Sequence, residues 1–181
     1  MANMCTVDVT VTGPKDVLNK LYQTMRKVAR GNRYETWYGD LIKELGGNPS
    51  KYECRGGSYN LKNYGDTLFW SDESKWCVQY DVFYFLAEKI PGIDIAFTAE
   101  EPGCGYFVTN KPNGPNYLFA TDEEWEYFDT PEELLDYAKE IFEKEFGSIE
   151  ELNDALDARS DETGEYFLIA EFEHVDSICS T

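Results

Sequence analysis

The net charge of this chain is confined to one end. Residues 1–98 carry 12 acidic and 12 basic side chains, whereas residues 99–181 carry 23 acidic and only four basic ones, Lys111, Lys139, Lys144 and Arg159. The entire formal charge of −19 therefore belongs to the last 83 residues. A like-charged half repels itself, which constrains its carboxylates to solvated outer faces and its apolar residues to narrow inner ones. Three benefits offset such repulsion: solubility, rejection of nucleic acid, and attraction of a basic partner.

The first half alternates and turns with clear punctuation. In Met4–Thr12, Cys5, Val7, Val9 and Val11 share one face and Thr6, Asp8, Thr10 and Thr12 the other, the pattern of a half-buried strand. After Gly13-Pro14, the residues Val17, Leu18, Leu21, Met25 and Val28 recur at helical spacing and predict a helix over 15–30. A shorter helix is expected over 36–45, stopped by Gly46-Gly47 and Pro49. Residues 57–73 read as a hairpin about Tyr64-Gly65-Asp66, residues 78–89 as a second main helix ended by Pro91-Gly92, and Ile93–Thr98 as another strand.

The acidic half reads differently. Tyr106–Asn110 and Asn116–Ala120 flank Lys111-Pro112-Asn113-Gly114-Pro115, a hairpin signal, and Glu124–Asp129 is a further strand. Thr130-Pro131-Glu132-Glu133 is a capping box with proline at the first helical position, opening a helix over 131–146. Ser148-Ile149-Glu150-Glu151 is a second box, opening a helix that gives way to a polar loop at Arg159–Gly164 and then to a last strand from Tyr166.

The order strand, helix, hairpin, helix, strand is the split βαβ, ferredoxin-like plan. The fold class expected is α+β, an antiparallel sheet with helices on one face and an acidic β/α C-terminal extension. No linker interrupts it, so residues 1–181 are expected to form a single elaborated domain, with 1–98 the charge-neutral core and 99–181 the extension.

Several segments resemble a known family. Met1-Ala2-Asn3-Met4-Cys5 with Val9-Thr10-Val11-Thr12-Gly13-Pro14, then Gly46-Gly47-Asn48-Pro49 with Cys54-Arg55-Gly56, and Glu100-Glu101-Pro102-Gly103-Cys104 with Thr109-Asn110 are similar to the YubB-type ferredoxin-like proteins of plasmids, phages and gut bacteria. The resemblance covers roughly residues 1–130. It implies a ferredoxin-like fold and a mobile-element setting, and it carries no catalytic residue.

The inventory argues against an enzyme. His174 is the only histidine and lies among Glu171, Glu173 and Asp176. Cys104, between Gly103 and Gly105, would need an electropositive setting to act as a nucleophile, and Glu100 and Glu101 oppose that; a Cys104-dependent activity is the weaker alternative. The five cysteines, Cys5, Cys54, Cys77, Cys104 and Cys179, are odd in number and lack C-x-x-C spacing, so neither a zinc site nor a disulfide framework is expected. No phosphate-cradling glycine motif occurs, and Asp122-Glu123-Glu124 lacks the spacing of a calcium loop, so no cofactor and no metal are expected. Lys15, Lys20, Arg26, Lys27, Arg30 and Arg33 gather on or beside the first helix and read as its solvated face, not as a nucleic-acid footprint. No leader pattern and no apolar run of about 18 residues is seen, so a soluble, cytoplasmic protein without a membrane contact is expected.

What remains is the acidic surface. Glu133, Asp136, Glu140 and Glu143 share one side of the helix at 131–146; Asp122, Glu123, Glu124, Glu126 and Asp129 precede it, and Glu150, Glu151 and Asp154 follow. Carboxylates about 5–6 Å apart on a helix approach the charge spacing of a nucleic-acid backbone within a factor of two. The function expected is a non-enzymatic DNA mimic of phage or plasmid origin, of anti-defence or anti-CRISPR type, that docks on a basic nucleic-acid-handling protein. The alternative is a domain whose acidity serves only solubility and which binds a protein, or a small ligand in a pocket near Trp70, Trp76 and Tyr80.

Overall fold

A computed structural model describes residues 3–29 and 36–180. Among them it is a mixed α/β protein with five α-helices and antiparallel strand pairing, compatible with the α+β class. The chain divides into two compact units, residues 1–111 with 174–181, and residues 112–173.

The first unit begins with β1 (Met4–Thr12), α1 (Lys15–Val28), β2 (Thr36–Trp37) and α2 (Tyr38–Glu44). It continues with β3 (Gly56–Asn63), β4 (Thr67–Lys75), α3 (Tyr80–Lys89), β5 (Asp94–Glu101) and β6 (Tyr106–Thr109). Its sheet has the order β10-β6-β5-β1-β4-β3-β2, where β10 is Glu173–His174, and the short β11 (Ile178–Cys179) also pairs with β5. β1 is central because its inner side is all apolar. Val9 stands between Trp70 and Phe97, and Val11 between Leu68 and Ile95. Onto this face α1 packs Leu18, Leu21 and Met25, and α3 packs Val82, Phe83 and Leu86.

In the first unit three features differ from the sequence expectation. The segment expected to begin a helix at Thr36 first makes a short strand, because Thr36 and Trp37 pair with Ser58 and Gly57. Gly57 permits this approach, since a Cβ there would lie 2.6 Å from the Thr36 carbonyl oxygen. Helix α1 ends at Val28; Arg30 and Arg33 lie outside the described residues. The hairpin expected about Lys111–Pro115 does not form. β6 pairs with β5, and the chain then enters the second unit. Asn110 ends β6 by replacing backbone with side chain: its Oδ1 accepts from the Phe97 amide at 2.6 Å and its Nδ2 donates to the Ile95 carbonyl at 2.8 Å.

The second unit is a three-stranded antiparallel sheet, β8 (Trp125–Phe128), β7 (Tyr117–Thr121) and β9 (Phe167–Glu171), with α4 (Pro131–Phe142) and α5 (Ile149–Thr163) on one face. Its core is small: Phe119, Leu134, Ala138, Leu152 and Leu156, ringed by Tyr137, Phe142 and Phe167. Phe119 sits at the centre, with ring contacts to all three of these aromatic residues.

Helix α4 stops four residues earlier than expected. Glu143 adopts a left-handed conformation (φ 51°), and the turn brings the Phe146 ring back to within 6.3 Å of Phe142. Helix α5 runs longer than expected, through the segment read as a polar loop. Its last turn is held by Arg159, which lies over the rings of Phe142 and Phe167 and pairs with Glu165, and it ends at Gly164 (φ 75°), a left-handed C-cap.

Candidate acidic docking surface

The division into units sharpens the charge asymmetry. Residues 112–173 contain 20 acidic and three basic side chains, a net −17, and the first unit keeps only −2. All three bases are committed within the unit: Lys139 to Glu145, Lys144 to Glu151 at 3.9 Å, and Arg159 to Glu165 at 2.9 Å. Among the described residues no other cation of the unit is left to neutralise the remaining carboxylates.

All twelve sequence-predicted residues are exposed, but they do not play one role. Glu133 and Glu151 are consumed by capping. Thr130 Oγ1 accepts from the Glu133 amide at 3.2 Å while Glu133 Oε2 accepts from the Asp129 amide at 3.1 Å. Ser148 Oγ and Glu151 Oε2 repeat the exchange with the amides of Glu151 and Gly147 at 3.2 and 2.8 Å. Asp122 accepts from the Tyr166 amide at 3.4 Å in the β7–β8 turn. Glu124 bonds to the Tyr137 hydroxyl; burial, followed by the fields of Glu124 and Glu126, pushes that hydroxyl upward from its ordinary value. Glu143, in its left-handed conformation beyond α4, does not extend the helical stripe of Asp136 and Glu140. Glu123 and Asp129 lie in the flanking turns, and Glu150 and Asp154 fall on α5.

The more regular array is one the sequence reading cut short. Because α5 continues to Thr163, Glu150, Asp154, Asp157 and Asp161 follow i, i+4, i+7, i+11 spacing and fall within about 60° of one another on a 3.6-residue helix. They lie opposite Leu152 and Leu156, all four are exposed, and Arg159 points away toward the core rings. Over about 16 Å of helix the stripe presents four negative charges. The expected helix already included Asp157; the signal that could have placed Asp161 on it as well is Gly164, a C-terminal stop in the position where glycine is most favoured.

Other sequence candidates are dispersed. Trp70 is fully buried and donates Nε1–H to Tyr38, whereas Trp76 is exposed beneath the Arg55 guanidinium at 5.3 Å, so the two do not share a pocket. Tyr80 does line a cleft, with Glu53, Cys77, Gln79 and Asp81, but at about 160 Å³ it is well below ordinary ligand pockets. His174 is exposed at a strand end. The Cys104 thiol is exposed and hydrogen-bonds Glu101, which raises it from its ordinary value, away from the thiolate a nucleophile needs. Among the described residues no cluster of three or more histidine, cysteine or carboxylate side chains could hold a metal ion, and no helix is long and apolar enough to cross a membrane. Comparison with protein-family models, curated proteins and solved structures finds no match.

Proposed function

We propose that this chain is a cytoplasmic, non-enzymatic binding protein whose second unit docks on a basic nucleic-acid-handling protein by presenting carboxylates where that partner expects phosphates. The observation that carries this reading is the α5 stripe of Glu150, Asp154, Asp157 and Asp161, which makes no ion pair among the described residues, in a unit of net −17. Its mean spacing, about 5 Å along the axis, compares with 3.4 Å per phosphate on one strand of a duplex. Docking releases the partner's counterions and steers association through complementary potential. The supporting framework in the first unit is a ferredoxin-like core, read from the order β5-β1-β4-β3 with α1 and α3 as the two crossings. The YubB-type resemblance and a phage or plasmid origin belong to the same proposal.

The competing reading, acidity for solubility and helix capping alone, assigns Glu132, Glu133 and Glu151 to the helix N-termini and the α5 stripe to solvation. A competition experiment separates the two. Basic nucleic-acid-binding proteins from a bacterial lysate are loaded on immobilised duplex DNA, and the protein is added at low and at high salt. The proposal expects displacement of a specific partner at low salt, loss of the effect at high salt, and loss again in an Asp154→Lys, Asp157→Lys, Asp161→Lys variant. Displacement that survives the triple reversal, or none at low salt, removes the proposal and leaves solubility.

A further inference from the structure

At the N-terminus of α3 the first unit holds a small cleft of about 160 Å³, lined by Glu53, Cys77, Val78, Gln79, Tyr80 and Asp81. A cavity of about 150 Å³ accepts about six non-hydrogen atoms, so this one has the size of a small metabolite. The turn that builds it is held from several sides. Trp76 adopts a left-handed conformation (φ 71°), and its amide donates to the Asn3 carbonyl at 3.1 Å. Ser74 Oγ donates to the Cys77 carbonyl at 2.7 Å. A bulky residue in that backbone region is strained, and such strain persists only where the surroundings over-determine it.

Gln79 is the observation that points to a ligand. It lines the cleft, yet it is only 3% exposed. Its Oε1 accepts from the Arg55 amide, which fixes the orientation of the side-chain amide and leaves Nε2 to face the cleft. Nε2 makes no hydrogen bond among the described residues. A donor so buried carries its full desolvation cost until something accepts from it. The end of α3 adds a second donor. No side chain caps this helix, and the Asp81 amide in its first turn makes no hydrogen bond among the described residues.

Acceptors stand in the same cleft. Asp81 Oδ2 accepts from the Glu53 amide at 3.4 Å, and Glu53 Oε2 accepts from the Arg55 guanidinium, so each carboxylate keeps an oxygen that these bonds do not use. The guanidinium itself is spent on Glu53 and on the face of Trp76. A simple anion in the cleft meets two carboxylates, and a simple cation meets the positive end of a helix. A ligand carrying both charges on neighbouring atoms satisfies the donors and the acceptors together.

We propose that this cleft binds a small zwitterionic α-amino acid of the size of glycine, alanine or serine. Its carboxylate accepts from Gln79 Nε2 and the Asp81 amide, its ammonium donates to the carboxylates of Asp81 and Glu53, and Val78 and Tyr80 supply the apolar wall. This site and the α5 stripe share no residue, and neither proposal depends on the other.

The test is a titration of the full chain followed by ¹H–¹⁵N resonances, with L-alanine as the probe. Saturable shifts of the Gln79 side-chain NH₂ and the Asp81 amide are expected, with a Kd of about 1 mM. Alaninamide, which lacks the carboxylate, and N-acetylalanine, which lacks the ammonium, are each expected to bind at least about tenfold more weakly. Gln79→Glu keeps an acceptor for the Arg55 amide but removes the donor, and Asp81→Asn removes a partner of the ammonium; each is expected to weaken L-alanine at least about tenfold. Absence of saturable shifts with L-alanine overturns the proposal in the unaltered protein, whether or not either variant folds. Alaninamide binding as well as L-alanine makes the cleft a general amine site, and N-acetylalanine doing so makes it an anion site; either result overturns the assignment of a zwitterion.

Discussion

In the first unit, Asp72, Ser58, Ser74, Gln79 and Glu101 are buried beside valines and aromatics; in the second, the buried side chains are all apolar. Outside the cores the contrast reverses. The first unit carries a net −2 and the second −17. Both place helices on one face of an antiparallel sheet, so architecture is not the difference. The large core can hold polar groups because enough apolar area surrounds them. The small core has none to spare and must exile every charge to water. The second unit should thus respond to salt through its many exposed carboxylates, and the first far less.

The strongest way to break this comparison is to empty the smaller core. Phe119→Ala removes the ring that Tyr137, Phe142 and Phe167 all touch, and a truncation of this type costs about 3–5 kcal/mol. Amide exchange read residue by residue should show protection lost across β7, β8, β9, α4 and α5 while β1, β4 and β5 keep theirs. Equal loss in both units would mean that they unfold as one, and that the contrast in their cores has no energetic counterpart.

A smaller effect tests how far local signals hold the acidic unit together. Thr130→Ala and Ser148→Ala each delete a side-chain acceptor from a helix N-terminus and should each cost about 1 kcal/mol, read as a lower denaturation midpoint with an unchanged slope. These caps were legible in the sequence because their chemistry is local: a hydroxyl, three residues, a glutamate. The strands of the first sheet were legible for a similar reason, since the alternation of Cys5, Val7, Val9 and Val11 reports burial directly.

What escaped the sequence depended on partners distant along the chain. Nothing near Asn110 announces that its amide will end β6 against Phe97 and Ile95, so the turn residues at Lys111–Pro115 suggest a hairpin where the chain instead leaves the sheet. Nothing near Arg159 announces that its guanidinium will lie over Phe142 and Phe167 and carry α5 onward to Thr163. The sequence therefore points chiefly to a stripe on α4, where Glu133 serves the cap and Glu143 leaves the helix, and not to Asp157 and Asp161 of the α5 array. Asp72 was invisible for the same reason. It occupies a position that alternation marks as inward, and only Tyr38, 34 residues away, explains how a carboxyl is tolerated there.

The subtlest test sets stability against binding within the α5 stripe. Asp157 has a carboxylate one turn away on either side, Asp154 and Asp161, and like charges at such spacings each destabilise a helix by about 0.2–0.5 kcal/mol. Asp157→Lys converts two repulsions into two attractions and should stabilise the second unit by roughly 1 kcal/mol at low salt, with the gain fading as salt is added. If the stripe exists only to keep the protein soluble, this substitution improves the fold and alters no interaction. If the stripe is a docking surface, the same substitution raises stability while weakening salt-sensitive displacement of the basic partner. A variant both less stable and unaltered in displacement would show that Asp157 already has a cationic neighbour in the folded protein, and the repulsive stripe would have to be abandoned.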